Sequence, residues 1–324
     1  MNPLDKIQAP VAAELDAFRS MFEKVMSHEN PILNEALVHM RQRLGKMMRP
    51  ILVILSARMV GRCTQEVLHA AVALEMLHTA SLVHDDVVDE SDRRRGQASV
   101  NARFGNKAAV LVGDYVLSMA LEHAALTQST QVVGLVAQLG QTLADGELLQ
   151  LYNTQSDIID EKSYYSVIRK KTASLFAACS QIGAILAGGS DDDVERLRQV
   201  GQITGICFQL RDDIFDYDDK HDVGKPAGND MKEGKLTLPA IHAVLRGGDP
   251  EMKTLALKIR RQQASPSDIQ RMVDYTRQQN GIAYAEWAMQ EFQYMAAGLV
   301  PEDGDPAIRE ALHAYIDYVA GRIV

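Results

Sequence analysis

The sequence is poor in aromatic residues, 6% with a single tryptophan, and shows no strand-like alternation of apolar and polar positions. Strands favour aromatic and β-branched side chains, so both shortages argue against a sheet core. Cysteine is scarce too. Cys63, Cys179 and Cys207 are odd in number and far apart, with no C-x-x-C pair. That argues against a disulfide framework or a zinc site and fits a reducing cytoplasm. Positive charge is outnumbered, with 34 Lys and Arg against 43 Asp and Glu and a net charge of -9. Such a field repels polyanions, so no nucleic-acid partner is expected. The longest apolar run, Leu175 to Gly189, contains Ser180 and Gln181 and is too short to span a bilayer. The start, MNPLDKIQAPVAAELDAF, carries charges where a signal peptide needs an apolar centre. A soluble, cytoplasmic protein without a transmembrane segment is expected.

What is present is helix-forming material. Apolar residues make up 46% of the 324 positions, and Ala, Leu, Val and Met predominate. Asn30-Pro31 reads as an N-cap followed by Pro at the first helical position. Arg49-Pro50 opens another helix. Thr64 caps a long one reaching about Asp89. Ser91 to Ser99 reads as a polar loop around Gly96. Further helices are expected near 106–125, 129–152, 161–187 and 191–217. Asp218 to Glu233 reads as a charged loop with Gly224, Pro226 and Gly228. Shorter helices fill the rest, broken near Gly247, Pro266, Gly281 and Pro301. No repeat or linker appears, so residues 1–324 read as one all-α domain, a helical bundle.

Two carboxylate clusters stand out. In DDVVDESDRRRG, from Asp85 to Gly96, Asp85 and Asp89 share a helix face one turn apart, with Asp86 beside them. Neighbouring carboxylates repel unless a cation sits between them. Oxygen ligands spaced this way suit Mg²⁺, which keeps waters and shares its shell with phosphates. Arg93, Arg94 and Arg95 follow, and guanidinium pairs bidentately with phosphate oxygens. In FQLRDDIFD, Asp212 and Asp216 repeat the arrangement with Asp213 beside them. Gly201 and Gly205 on that helix would let another helix pack close. One acidic helix end is as readily a solvated surface. A second, on an otherwise apolar helix, is hard to explain that way, and antiparallel helices could bring the two to face each other across a central cavity. In GKPAGNDMKEGKLTLP, from Gly224 to Pro239, Lys225 and Lys235 could reach phosphate and Asp230 could assist a metal. Taken alone, that stretch reads as a charged surface loop.

Taken in order, these segments resemble the trans-isoprenyl diphosphate synthases, the family that makes farnesyl, geranylgeranyl and longer polyprenyl diphosphates. LGKMMRP at Leu44–Pro50 resembles the family's G-K-x-x-R-P, and DDVVDESDRRRG its first D-D-x-x-D with the trailing R-R-G. RKKTASLF at Arg169–Phe176 resembles its K-T segment, FQLRDDIFD its second motif, and GKPAGNDMKEGKLTLP its closing loop. Met47-Met48 and the extra Arg93 depart from the pattern at positions that bind nothing. The resemblance implies an isoprenoid-synthase helical bundle with a central active site. Asp85, Asp86 and Asp89, with Asp212, Asp213 and Asp216, would hold Mg²⁺ ions on the allylic diphosphate. Arg94, Lys171, Lys225 and Lys235 would grip that diphosphate. Lys46, Arg49, His78 and Arg95 would bind isopentenyl diphosphate. Gln209 and Thr172 would line the reacting centre. Lys171 and Gln209 join Asp85, Asp86, Asp89 and Asp212 as the expected catalytic set. The resemblance further implies a homodimer, and peripheral membrane contact for product release is a further expectation.

Product length is read from the face below the first cluster. Ser81, His78 and Leu74 continue the Asp85 stripe, with Leu77 and Ala80 beside it. His78 on that stripe faces the site rather than being a plain core histidine. Ala80 and Ser81 are small, where an aromatic would block a growing chain. A helix of ~25 residues gives a channel of roughly 35–40 Å, enough for about eight to ten isoprene units. A long all-trans polyprenyl diphosphate, of the kind used for quinone side chains, is expected. The alternatives are a farnesyl or geranylgeranyl diphosphate synthase and, further off, a non-catalytic synthase subunit. A terpene cyclase is disfavoured because Asp212-Asp213-x-x-Asp216 is the synthase form of the second motif.

Overall fold

The computed structural model describes residues 3–42, 45–94, 96–217 and 228–321. The chain runs through α1 (Pro3–Gln8), a 3-10 turn, α2 (Ala12–Val25), α3 (Pro31–Arg41), α4 (Met48–Val60) and α5 (Gln65–Val88). A two-residue antiparallel pair follows, β1 (Arg93–Arg94) with β2 (Gln97–Ala98). Then come α6 (Val100–Phe104), α7 (Asn106–Leu126), α8 (Thr130–Gln155) and α9 (Glu161–Ile168). A π-helical turn, Arg169–Ala173, separates α9 from α10 (Ser174–Leu186). The rest is α11 (Asp191–Phe215), α12 (Asn229–Lys232), α13 (Leu238–Gly247), α14 (Pro250–Arg260), α15 (Pro266–Gln278), α16 (Gly281–Leu299) and α17 (Pro306–Gly321). The all-α class is as expected.

The chain forms two compact units. The first comprises Met1–Gly140, Leu175–Gly201 and Val300–Ala314. At its centre α5 packs most extensively on α7 and also meets α4 and α2. Its buried residues, Val67 to Val83, lie on every face of the helix, as a fully enclosed helix requires. By length and composition, α5 and α7 could each cross a membrane, but 67% of the apolar window of α5 is buried inside the protein. These are not the run at Leu175 that the sequence singles out. Glycine brings backbones together in this unit. A Cβ on Gly183 would fall 2.3 Å from the Val53 carbonyl oxygen, and one on Gly201 2.3 Å from that of Phe176. The Gly201 expectation is thereby met.

The second unit comprises Gln141–Ser174, Gln202–Leu299 and Tyr315–Val324. Here α13 packs on α9, α15 and α16, and α14 on α15. Ser265 and Asp268 close a reciprocal capping box at the start of α15.

Several local expectations change. Asn30 does cap α3, accepting from the N–H groups of Ile32 and Leu33. Thr64 stands at the N-cap of α5, but its side chain accepts no backbone hydrogen bond there. The loop at Ser91–Ser99 is a tight hairpin turning at Gly96, whose φ of +78° suits glycine. The single helix expected near 161–187 is interrupted by the π-turn. The expected loop from Asp218 contains α12, and residues 218–227 lie outside the described residues.

Candidate functional site

The first unit carries the first cluster at the C-terminal end of α5. Asp85 is half-buried, Asp86 is 2% exposed and Asp89 is the exposed C-cap. Asp86 Oδ1 accepts from Arg94 Nε at 2.6 Å, so one of the three carboxylates is neutralised by the arginine turn itself. The Asp86 carbonyl takes Ser91 N at 2.9 Å and Asn101 Nδ2 at 3.2 Å. Ser99 Oγ donates to Ser91 O and caps α6. These bonds explain why a sequence of charges and serines forms a fixed hairpin. Arg95 lies outside the described residues.

The expected isopentenyl-binding residues occupy this same unit. Lys46 is exposed, next to Met47 with its positive φ of 49°. Arg49 sits in the first turn of α4 with its guanidinium 5.5 Å from the centre of the Phe176 ring. Its Nε is sealed from solvent without a hydrogen-bond partner, an orphan donor of the kind that an anionic ligand would satisfy. His78 and Ser81 are half-buried, and Ser81 Oγ donates to the His78 carbonyl at 2.9 Å. Ala80 and Leu77 are 1% and 4% exposed.

The second unit brings five expected residues onto one cavity of about 180 Å³: Lys171, Thr172, Gln209, Asp213 and Lys235. Lys171 and Thr172 come from the π-turn, whose wider winding is frequent at functional sites. Gly146 makes room for that turn, since a Cβ there would lie 2.9 Å from Lys171 Cγ. Lys171 Nζ pairs with Glu147 at 2.6 Å and donates to Gln150 Oε1 at 3.1 Å. Lys235 Nζ pairs with Glu233 at 2.6 Å.

A polar chain crosses the cavity wall. Thr172 Oγ1 donates to Gln209 Oε1 at 2.8 Å, and Gln209 Nε2 donates to Asp213 Oδ1 at 2.8 Å. Tyr164 OH donates to Asp213 Oδ2 at 2.5 Å. Both oxygens of this buried carboxylate are therefore held. Burial, then the charge of Asp230, nevertheless push its pKa well above the ordinary aspartate value, against the lowering effect of the two hydrogen bonds. Asp216 caps α12, accepting from the N–H groups of Asn229 and Asp230 at 2.9 and 3.2 Å. Burial and the Asp230 charge push it up to about 7. Asp212 and Asp216 do not line the cavity. Lys225 lies outside the described residues.

Tyr164, Gln150 and Arg260 line the cavity but are not singled out by the sequence. Tyr164 belongs to none of the motifs in the sequence. Its spacing of seven residues from Lys171, two helical turns on a shared face, was a usable signal.

The donor set fits a divalent cation. The charges of Asp230 and Asp212 raise the proton affinity of Asp213, and that of Asp230 raises the proton affinity of Asp216, a repulsion that a cation relieves. Among the described residues no three ligating side chains already converge as a cage. Mg²⁺ does not require one, since it retains waters and draws ligands from phosphate.

Comparison with known proteins agrees with this chemistry. The polyprenyl synthetase family profile matches residues 30–276. The octaprenyl diphosphate synthase of Escherichia coli is 39% identical over 249 residues, 76% of this chain and 77% of that protein. A geranylgeranyl pyrophosphate synthase structure from Bacteroides thetaiotaomicron is 43% identical, with a TM-score of 0.87, covering 99% of this chain and 100% of that one. A decaprenyl diphosphate synthase structure from Rhodobacter capsulatus is 32% identical, with a TM-score of 0.92 and 99% of each chain covered.

Proposed function

The chain belongs to the polyprenyl synthetase family, and from that premise we propose that it condenses isopentenyl diphosphate with an allylic diphosphate to build a long all-trans polyprenyl diphosphate. It is a prenyl-transferring enzyme acting on isoprenyl diphosphates. The observation that carries the mechanism is the cavity holding Lys171, Thr172, Gln209, Asp213 and Lys235. As the allylic carbon–oxygen bond breaks, negative charge grows on the departing diphosphate. Lys171 and Lys235, which line the cavity, would stabilise it as fixed cations. Thr172 and Gln209, hydrogen-bonded to each other, present oxygen dipoles to the allylic cation. The isopentenyl double bond attacks that cation, with its own diphosphate held by Lys46, Arg49, Arg95 and His78. The proton then lost passes to the released diphosphate, since no side chain among the described residues is an obvious general base. Asp85, Asp86, Asp89 and Asp212, with Asp213 and Asp216, are the residues that would hold Mg²⁺, which would supply further charge stabilisation when bound. Arg94 and Lys225 complete the grip on the allylic diphosphate.

Long product is supported by the small residues Ala80 and Ser81 beneath Asp85, and by the 24-residue length of α5, roughly 36 Å. The 43% identical geranylgeranyl pyrophosphate synthase structure favours a shorter product as the second reading. Leu111, Leu121 and Leu126 are exposed apolar side chains on α7 that a second copy of the chain would cover, which supports a homodimer. We further propose one catalytic domain, a cytoplasmic location and peripheral membrane contact for release of an apolar product. Purified protein incubated with labelled isopentenyl diphosphate and several primers, with and without Mg²⁺, tests the proposal. Products beyond C30 are expected. Products stopping at C20 would select the second reading. Near-normal turnover of Asp85→Ala or Asp212→Ala would remove the metal assignment.

A further inference from the structure

Arg260 ends α14 and is 6% exposed, yet it lines the same cavity as Lys171, Gln209 and Lys235. Arginine is seldom buried this far without a carboxylate, because an unpaired charge loses its hydration. Arg260 makes no ion pair among the described residues. Its hydrogen bonds there both run from Nη1, to the carbonyls of Ser156 at 3.2 Å and Ile158 at 2.5 Å. Desolvation lowers its proton affinity, and the charges of Asp160 and Asp157 offset this only in part. Its neighbour Arg261, by contrast, pairs with Asp157 at 2.7 Å.

The other two nitrogens carry the argument. Nε and Nη2 have no hydrogen-bond partner among the described residues, and neither is among the side-chain atoms sealed from solvent. Both therefore keep some exposure, on a side chain that lines the cavity. Their N–H bonds lie on one edge of the guanidinium and run parallel, forming a fork that grips two oxygens at once. The protein uses this fork elsewhere: Arg198 Nε and Nη2 each reach an oxygen of Glu195 at 2.7 Å. At Arg260 the backbone carbonyls fix the direction of the fork without supplying a counter-charge.

We propose that Arg260 is a substrate-contacting residue whose Nε–Nη2 fork takes two oxygens of a phosphate group bound in this cavity. The inference rests on the reading that the cavity receives a diphosphate. That phosphate belongs to the allylic substrate, to isopentenyl diphosphate or to released inorganic diphosphate, and the chemistry of recognition is the same. Arg260 also lines a neighbouring polar cleft with Thr154, Arg261 and Gln262. An anion seated in that cleft would feel both arginines, whereas one in the cavity would feel Arg260 alone.

The test compares wild type, Arg260→Lys, Arg260→Gln and Arg261→Gln with Mg²⁺ present. Lysine keeps the charge and can donate to both carbonyls, but it has no fork. Three constants are measured: KM for each substrate and the inhibition constant of inorganic diphosphate. At least one should rise by about tenfold or more in both Arg260 variants, with unchanged thermal midpoint for Arg260→Lys and no change in Arg261→Gln. Which constant rises identifies the source of the phosphate. Wild-type values for all three in folded Arg260→Lys overturn the proposal, and so does an equal effect of Arg261→Gln. A wild-type chain without condensation activity sinks the functional reading instead. Calorimetric binding of inorganic diphosphate to wild type and Arg260→Lys then still decides the fork. Should both Arg260 variants unfold, a wild-type crystal soaked with inorganic diphosphate decides it. Oxygens within hydrogen-bond distance of Nε and Nη2 support the proposal, and diphosphate bound away from Arg260 refutes it.

Discussion

Removing the Tyr164 hydroxyl isolates one contact at the second cluster. Tyr164→Phe keeps the ring, its packing 5.2 Å from the Tyr165 ring, and nearly all its volume. What is lost is the 2.5 Å donation to Asp213 Oδ2. Asp213 is 2% exposed, so water cannot easily replace that donor. A buried acceptor stripped of its partner costs roughly 1–3 kcal/mol. Gln209 still holds Oδ1, which argues for the lower half of that range. Chemical denaturation of wild type, Tyr164→Phe, Asp213→Asn and the double variant measures the coupling between the two groups. Turnover should fall as well, because a carboxylate held at one oxygen no longer sits at a fixed distance from Lys171 and Thr172. If Tyr164→Phe matches wild type in stability and turnover, or the cycle shows no coupling, the hydroxyl does not fix Asp213 and the network argument fails.

Ser81→Phe should shorten the product without abolishing condensation, because a ring one turn below Asp85 meets the growing tail; wild-type product lengths at normal rate would show that the tail runs elsewhere. Gly146→Ala places a methyl 2.9 Å from Lys171 Cγ and 3.0 Å from its backbone nitrogen, an overpacking of ~1–3 kcal/mol. A lower thermal midpoint and a raised KM for the allylic substrate are expected, and an unchanged KM would separate Gly146 from the position of Lys171. His123, buried on α7 with Nδ1 3.1 Å from that of His69, has its pKa lowered below 6.5, first by burial and then by the His69 charge. The unfolded chain therefore binds this proton at higher pH than the folded one, so stability is lost as pH falls from 6.5 toward the folded value. Urea midpoints at pH 5 and 7.5 should differ less in His123→Phe than in wild type.

Periodicity makes the long helices legible: α7, α8 and α11 begin and end within about three residues of their expected bounds. Spacing likewise marks Asp85 with Asp89 and Asp212 with Asp216. The π-turn at Arg169–Ala173 has no such signature, because its wider winding depends on what packs against it, here the bare Gly146. The hairpin at Arg93–Ala98 is hidden because its strands are only two residues long, Arg-Arg against Gln-Ala, and are held by Ser99, Asn101 and Asp86 rather than by apolar alternation. Asp216 is legible as a carboxylate but not as the cap of α12, since the segment between them contains no helical pattern. Arg260 is hidden for the opposite reason. Next to Arg261 and two glutamines it looks like one more solvated cation, and only its burial sets it apart.

The bare glycines around α10 bear on how this protein can change over time. At most helix contacts, side chains form a compliant layer, and a mutation on one helix is absorbed by a shifted rotamer on the next. Where Gly183 meets the Val53 carbonyl and Gly201 meets that of Phe176, main chain touches main chain. Nothing there can rotate out of the way, so even the smallest added group must displace a whole helix. Sequence drift is therefore blocked at the two glycines, whereas Val53 and Phe176, which offer only main-chain carbonyls to these contacts, are not fixed by them. Under the proposed function, variation in product length would come instead from positions such as Ala80 and Ser81, where the side chain and not the main chain is what changes.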